Sequence, residues 1–283
     1  MTYHIPVLLQ ETMTGLSVSS GTMFIDATLG GGGHTKAMLE LGAKVLGIDT
    51  DTDAMKQAGE IHHPLFRFHK GNFRNIKEIA YSEKFFPVDG ILFDLGVSSH
   101  QLDEAKRGFS YKYKDAPFDL RLNQEEGVPA LEIINHENEE QLKKIIGVFG
   151  EEESCGRIAH ALVVSRVKKK IQTTGDVLEV IREIAGERNQ YKTASKVFQG
   201  FRIYINDELN ALKHGLEDGF DLLKPGGRIA VISFHSLEDR IVKLFFQKKN
   251  MRLITKRPIV SSEEEQNNNR RSRSAKLRIG EKI

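Results

Sequence analysis

A chain of 283 residues with 39% apolar and 28% charged side chains has the balance of a soluble protein, can bury a sizeable core, and leaves room for more than one domain. Cys155 stands alone, which excludes an intrachain disulfide and a thiolate metal cluster; with no basic leader and no apolar run near ~18 residues, a cytoplasmic protein is expected. The net charge of +2 conceals an asymmetry: from His235 onward 13 Lys and Arg face 6 Asp and Glu, so that end carries +7 and the rest −5, which suggests a polyanionic partner at the carboxyl end.

In chain order, Thr2 to Ser20 reads as an arm, His4-Ile5-Pro6-Val7-Leu8-Leu9, leading into a short helix. Met23 to Ala27 is a short apolar strand, Gly30 to Gly33 a turn where backbone can approach a ligand, His34 to Leu41 a helix, and Lys44 to Ile48 a second strand stopping at Asp49. Such a βαβ unit holds its ligand at the carboxyl end of its first strand, and a carboxylate ending the second is placed for ribose hydroxyls, as in NAD or S-adenosylmethionine (AdoMet) sites. The dinucleotide fingerprint fails at Thr35 when started from Gly30 and at Lys36 when started from Gly31, and no GK[ST] follows for a P-loop. A ligand with a sugar and an amino-acid tail but no phosphates fits; so does a tight turn that binds nothing.

Thr52 to Gly59 is a helix capped by Asp51 or Thr52, and Leu65 to His69 alternates as a third strand ending in the turn Gly71-Asn72-Phe73. That turn faces the same crevice, so Phe73 lies against an adenine ring or else belongs to the core. Val88 to Leu95 is a nearly continuous apolar strand, as in a parallel sheet covered on both faces. Asp94 at its end costs desolvation unless paired, so it points into the crevice or caps the turn. The adjacent His62 and His63 lack helical spacing, and no metal ion is expected.

The pattern changes at about Asp103. Arg107 to Asn123 mixes aromatic and charged residues, and helices follow at Glu139 to Phe149, Glu152 to Lys170 and Val177 to Glu187, with Thr174 as a cap for the last. An α/β pattern interrupted in this way implies an inserted helical domain, with boundaries 1–102, 103–196 and 197–283. The α/β pattern then resumes. Phe201 to Leu223 carries one apolar face of a long helix, Arg228 to Phe234 is a buried strand, Ser236 to Gln247 a helix, and Met251 to Thr255 and Lys276 to Ile279 the last strands. The polar linker Ser261 to Arg273 between them is expected to be mobile when unliganded.

The stretches HIPVLLQE, DATLGGGGHT, GIDTD, DGILFDLGVSSHQLDEAKRGFSY, PFDLRL, VFQGFRIYINDELN, LKPGGRIAVISFHSLEDRIVK and RSRSAKLR, spread over nearly the whole chain, resemble the bacterial RsmH (MraW) family of small-subunit rRNA cytidine N4-methyltransferases. DLGVSS, RGFSY and SFHSLEDRIVK are the specific ones. The resemblance implies a class I AdoMet-dependent methyltransferase fold, Rossmann-like and mostly parallel, with a helical domain inserted after the fourth strand. It implies AdoMet contacts at Gly32, Gly33, His34, Asp49, Phe73, Asp94 and Gln101, and methylation of a cytidine N4 in the decoding region of 16S rRNA on the small ribosomal subunit. Two departures, Lys192 to Lys196 before FQGFRI and Asn269-Arg270-Arg271 before SRSAKLR, lie outside the cofactor pocket and bear on substrate contacts.

Transfer to an amine delocalised into its ring needs proton acceptors and alignment more than a strong base. Asp94 or the adjoining backbone is the candidate acceptor, with Ser233 and His235 completing the pocket or merely fixing the turn. Arg107, Phe109, Tyr111 and Tyr113 are candidates to hold an unstacked base, and Arg270, Arg271 and Arg273 to bind phosphates, with salt-sensitive affinity. The competing readings are a methyltransferase for another base or for protein, an RNA-binding ribosome assembly factor with a vestigial cofactor site, and a nicotinamide dehydrogenase, which Thr35 disfavours.

Overall fold

The computed structural model describes residues 6–283, so His4 and Ile5 of the arm lie outside the described residues. The chain divides into two compact units, one formed by residues up to Ser98 together with Leu209–Ile283, the other by Ser99–Glu208. The expected boundaries at 102/103 and 196/197 each fall inside a helix, Ser99–Asp103 and Gln190–Asn206. Among the described residues no helix is long and apolar enough to cross a membrane.

The first unit is built on seven strands: β1 (Met23–Asp26), β2 (Lys44–Asp49), β3 (Phe66–Lys70), β4 (Val88–Asp94), β5 (Leu223–Ser233), β6 (Arg252–Leu253) and β7 (Lys276–Glu281). Their order is β3-β2-β1-β4-β5-β7-β6; the first five are parallel, β7 runs antiparallel to β5 and β6 antiparallel to β7. This is the α/β, Rossmann-like class expected. Period-two alternation explains the unbroken apolar runs, since Ile91, Phe93, Ile229 and Val231 enter one core while Leu92, Ala230 and Ile232 enter the other. The first core is closed by helices Ile76–Ser82, Glu208–Leu222 and Ser236–Lys248, the second by Leu9–Leu16 and Gly33–Glu40. A Cβ on Gly90 would stand 2.6 Å from the Phe24 ring, which is why a glycine interrupts the β4 run.

Two expectations are corrected here. The apolar face from Phe201 to Leu223 belongs to two helices, because Asp207 takes the left-handed conformation at φ 50° and ends Gln190–Asn206 before Glu208–Leu222 begins. The segment expected to be mobile is folded into a helix, Glu263–Asn268, and a 3-10 turn, Arg270–Ser274. Ser262 caps that helix, accepting from the Glu265 N–H, and three glutamates occupy the positive first turn; Ser272 is fully buried.

The second unit is helical. Its core gathers Phe118, Phe198 and Phe201, with ring centroids 4.7 and 5.7 Å from Phe118, alongside Ile145, Ile158, Leu162 and Ile181. The helix Thr174–Ala185 is capped by Thr173, one residue earlier than expected, through a reciprocal box with Asp176. Glu139–Lys144 runs on into a π turn, Ile145–Phe149, and Cys155–Lys168 follows.

Candidate active site

In the first unit the chain runs from β1 outward through β2 to β3, then returns to place β4 on the other side of β1. The crevice beyond the carboxyl ends at such a reversal is where open α/β sheets bind ligands. Three neighbouring strands, β2, β1 and β4, each end there in a carboxylate: Asp49, Asp26 and Asp94.

Asp49 organises the glycine turn. Its Oδ2 accepts from the Gly30 N–H at 2.8 Å and its Oδ1 from the Asp51 N–H at 2.9 Å, so two of about four lone-pair sites stay available. Burial pushes its carboxyl up to about 6. Gly30 and Gly32 have φ of +49° and +72°, and a Cβ on Gly30 would meet nothing nearer than the Thr28 carbonyl at 3.9 Å. Gly33 lies against the arm, where a Cβ would come within 3.1 Å of the Pro6 ring. The turn after β3 joins this edge through the Gly71 N–H, 2.8 Å from the Asp49 carbonyl.

Asp26 accepts from the Thr35 hydroxyl at 2.7 Å and the Thr28 N–H at 3.3 Å, and burial raises its carboxyl above the usual range. His34 is buried beside it, its Nε2 3.1 Å from the Val7 carbonyl and its Nδ1 3.8 Å from Asp94 Oδ2. A carbonyl only accepts, so Nε2 carries the hydrogen and Nδ1 turns a lone pair toward Asp94. Desolvation lowers the His34 pKa and keeps the ring neutral.

The Asp94 N–H donates to the Thr28 hydroxyl at 2.6 Å, while its Oδ1 is buried and has no hydrogen-bond partner among the described residues. Burial raises its carboxyl to about 6, against the lowering effect of the Arg271 charge and with a smaller push from Glu238. Arg271 is half-buried, its guanidinium 5.3 Å from the centre of the Phe234 ring, and that ring would lie 3.2 Å from a Cβ on Gly96. The segment after Ser262 thus folds back on the ends of β4 and β5, and its Glu265 Oε1 accepts from the Leu8 N–H at 2.8 Å, joining it to the amino-terminal arm.

Of the residues implicated by sequence, Gly32, Gly33, His34, Asp49 and Asp94 come together at this edge. Phe73 is half-buried on a 3-10 turn, edge-on to Phe93 at 5.6 Å. Gln101 is buried on the helix Ser99–Asp103 of the second unit. Ser233 donates to the Lys276 carbonyl at 3.3 Å, and His235 caps Ser236–Lys248, its Nδ1 accepting from the Glu238 N–H while Glu238 accepts from the Phe234 N–H. Both side chains thus have hydrogen bonds within the fold, while the buried His235 Nε2 has no hydrogen-bond partner among the described residues.

Among the base-holding candidates, Arg107 and Phe109 need correction. Arg107 is 1% exposed, its guanidinium donating to the Arg121 and Leu122 carbonyls, and Phe109 is buried beneath it at 5.7 Å. Neither presents a surface to RNA, because a guanidinium supplied with carbonyls can be buried whole. Tyr111 is exposed and packs on Tyr191 and Phe198, and Tyr113 is half-exposed. Arg270 and Arg273 are exposed, but Arg271 is engaged within the crevice. Sequence reading passed over Asp26 and Thr28, although an acid ending a buried strand is the same signal that marks Asp94.

The edge fits AdoMet in its donor set: a carboxylate with spare lone pairs for ribose hydroxyls, an open glycine turn, and a buried carboxylate oxygen awaiting a donor or cation. A family model described as the MraW methylase family matches residues 1–283. The chain is 47% identical over 281 residues to Ribosomal RNA small subunit methyltransferase H of Deinococcus radiodurans, covering 99% of this chain and 89% of the relative. It is 42% identical to the protein of that name from Brevibacillus brevis over 309 residues, covering 99% and 98%. The Deinococcus deserti protein is 46% identical over 282 residues, covering 99% and 93%.

Proposed function

This chain belongs to the MraW methylase family, an AdoMet-dependent methyltransferase family, and on that premise we propose that it methylates the exocyclic N4 of a cytidine in the decoding region of 16S rRNA, in the cytoplasm. The observation that supports this most is Asp94, whose Oδ1 is buried at the strand reversal without a hydrogen-bond partner among the described residues, beside a glycine turn organised by a second carboxylate. When bound, AdoMet supplies an electrophilic methyl group on a sulfonium cation.

Asp49 would offer its remaining lone pairs to the ribose hydroxyls, and Gly30, Gly32 and Gly33 would let backbone approach the amino-acid end. Phe73 would border the adenine. Asp94, ionised above about pH 6, would accept the proton that the N4 amine gives up as its nitrogen takes the methyl group, the carbon–sulfur bond breaking to leave a neutral thioether. The Thr28 hydroxyl holds the Asp94 backbone, and the Arg271 charge favours the ionised carboxylate. His34, neutral and buried, ties the arm at Val7 to the floor of the crevice and helps to exclude water. Positioning in a dry site supplies the rate, since the amine is too delocalised for base strength alone to matter.

The test is incubation with labelled AdoMet and either 16S rRNA or assembled small ribosomal subunits, followed by mass analysis of the nucleosides. N4-methylcytidine is expected. Label in another base, or in none, overturns the assignment.

A further inference from the structure

The second unit holds a groove of about 660 Å³ that takes no part in the chemistry above, walled by Lys106, Lys112, Tyr113, Lys114, Asp115 and Pro117. All three lysines are exposed, and none has a carboxylate partner among the described residues. The groove thus presents three ammonium groups against one carboxylate, that of Asp115, and is positive on balance.

The groove is also rigidly backed. The Lys114 carbonyl accepts from the Gly175 N–H at 2.7 Å and the Ala116 carbonyl from the Thr174 N–H at 2.8 Å, and Pro117 bridges to Thr173. A Cβ on Gly108, which has φ +72°, would stand 2.3 Å from the Pro117 carbonyl, and one on Gly175 2.9 Å from that of Lys114. Behind them the buried Arg107 holds the Arg121 and Leu122 carbonyls. The anchored loop loses little backbone entropy on meeting an anion, and the half-exposed Tyr113 ring, with the Lys112 ammonium 5.2 Å from its centre, adds a stacking surface.

We propose that this groove binds the phosphodiester backbone of a single-stranded segment of the RNA substrate, with Tyr113 stacking on one of its bases. The proposal rests on the RNA-substrate reading and adds to it the lysines and the strand they hold. Single-stranded RNA is the ligand because its phosphates and unstacked bases occur together, as do the lysines and the tyrosine.

The test compares the full chain with K106E/K112E/K114E. Affinity for a single-stranded RNA fragment carrying the target cytidine is measured by fluorescence anisotropy against salt, alongside AdoMet affinity by calorimetry and KM and kcat for methyl transfer. The three reversals are expected to weaken RNA binding at least tenfold near 0.1 M salt and to flatten the slope of log K against log salt by about 2, from about 0.7 per phosphate contact. AdoMet affinity stays unchanged and KM rises more than kcat falls. Tyr113→Ala weakens binding and Tyr113→Phe restores it, since the phenyl ring stacks as well. An unaltered salt slope and KM in the triple variant, with methyl transfer intact, overturns the groove. If the wild type methylates no RNA yet binds it through a slope that needs these lysines, the groove stands and the proposed reaction fails.

Discussion

Replacing Asp94 by Asn should make the protein more stable and less active at once, and the size of the first effect follows from its burial. Its folded carboxyl titrates at about 6 against an ordinary 3.8, so holding it ionised in the apo protein costs up to about 3 kcal/mol. The sign follows from the raised value. The neutral acid is accommodated fully below pH 3.8, and that contribution is lost as pH rises through about 6. Asparagine never ionises, and its amide can donate to the His34 Nδ1 lone pair that faces Asp94 Oδ2 at 3.8 Å. Calorimetric melts without AdoMet at pH 4 to 8 should therefore show little difference between variant and wild type near pH 4. The gap should widen through pH 6 and level off at up to about 6–12 °C above pH 7, for about 2–4 °C per kcal/mol in a chain near this size. Methyl transfer should fall at least about 100-fold, the usual loss when a positioned proton acceptor is removed. A variant less stable than wild type at pH 8, or a gap independent of pH, would refute the account of a carboxylate whose burial outweighs the nearby Arg271 charge. Near-normal turnover would remove Asp94 as the essential acceptor.

Binding of AdoMet should weaken below about pH 6 as Asp49 takes up a proton, by about tenfold per pH unit for one required carboxylate, which calorimetry across pH 5 to 8 measures directly. Gly32→Ala, at φ +72° and with its new Cβ 2.7 Å from Ile61 Cδ1, should lose about 1–2 kcal/mol in denaturant unfolding. Arg271→Met should push the Asp94 titration above its present position and move the acid limb of the kcat profile to higher pH, while Arg271→Lys should hold it near the wild-type position; coincident limbs would dismiss the charge of Arg271 as an influence.

The βαβ frame was legible because two local signals agreed, apolar runs of strand length and a glycine turn closed by an acid. Asp94 was legible from the cost of a charge ending a buried strand, and Asp26 would have followed from the same rule. Arg107 was not, because its carbonyl partners at Arg121 and Leu122 lie 14 and 15 residues away, and composition cannot tell a buried, satisfied guanidinium from a surface one. Arg271 misled for a related reason: a basic tail suggests a polyanion until the fold shows Phe234 and Asp94 beside it. The apolar steps from Phe201 to Leu223 continued across Asp207 because one left-handed residue changes direction without changing the spacing of hydrophobic side chains. In Ser261 to Arg273 polarity masked a capped helix, whose Ser262 and three glutamates stabilise it locally without apolar burial.

The parallel ladder between β4 and β5 joins strands separated in the chain by the entire inserted unit. On the ribosome, the strand VDGILFD therefore emerges long before its outer neighbour is made, and its open hydrogen-bonding edge must wait through synthesis of residues 99–208. The insert can collapse on its own helices in that interval, because its contacts are local. Birth of the catalytic half is thus gated by completion of the other, and a chain stalled before Leu223 carries a sticky sheet margin that invites chaperone capture or aggregation.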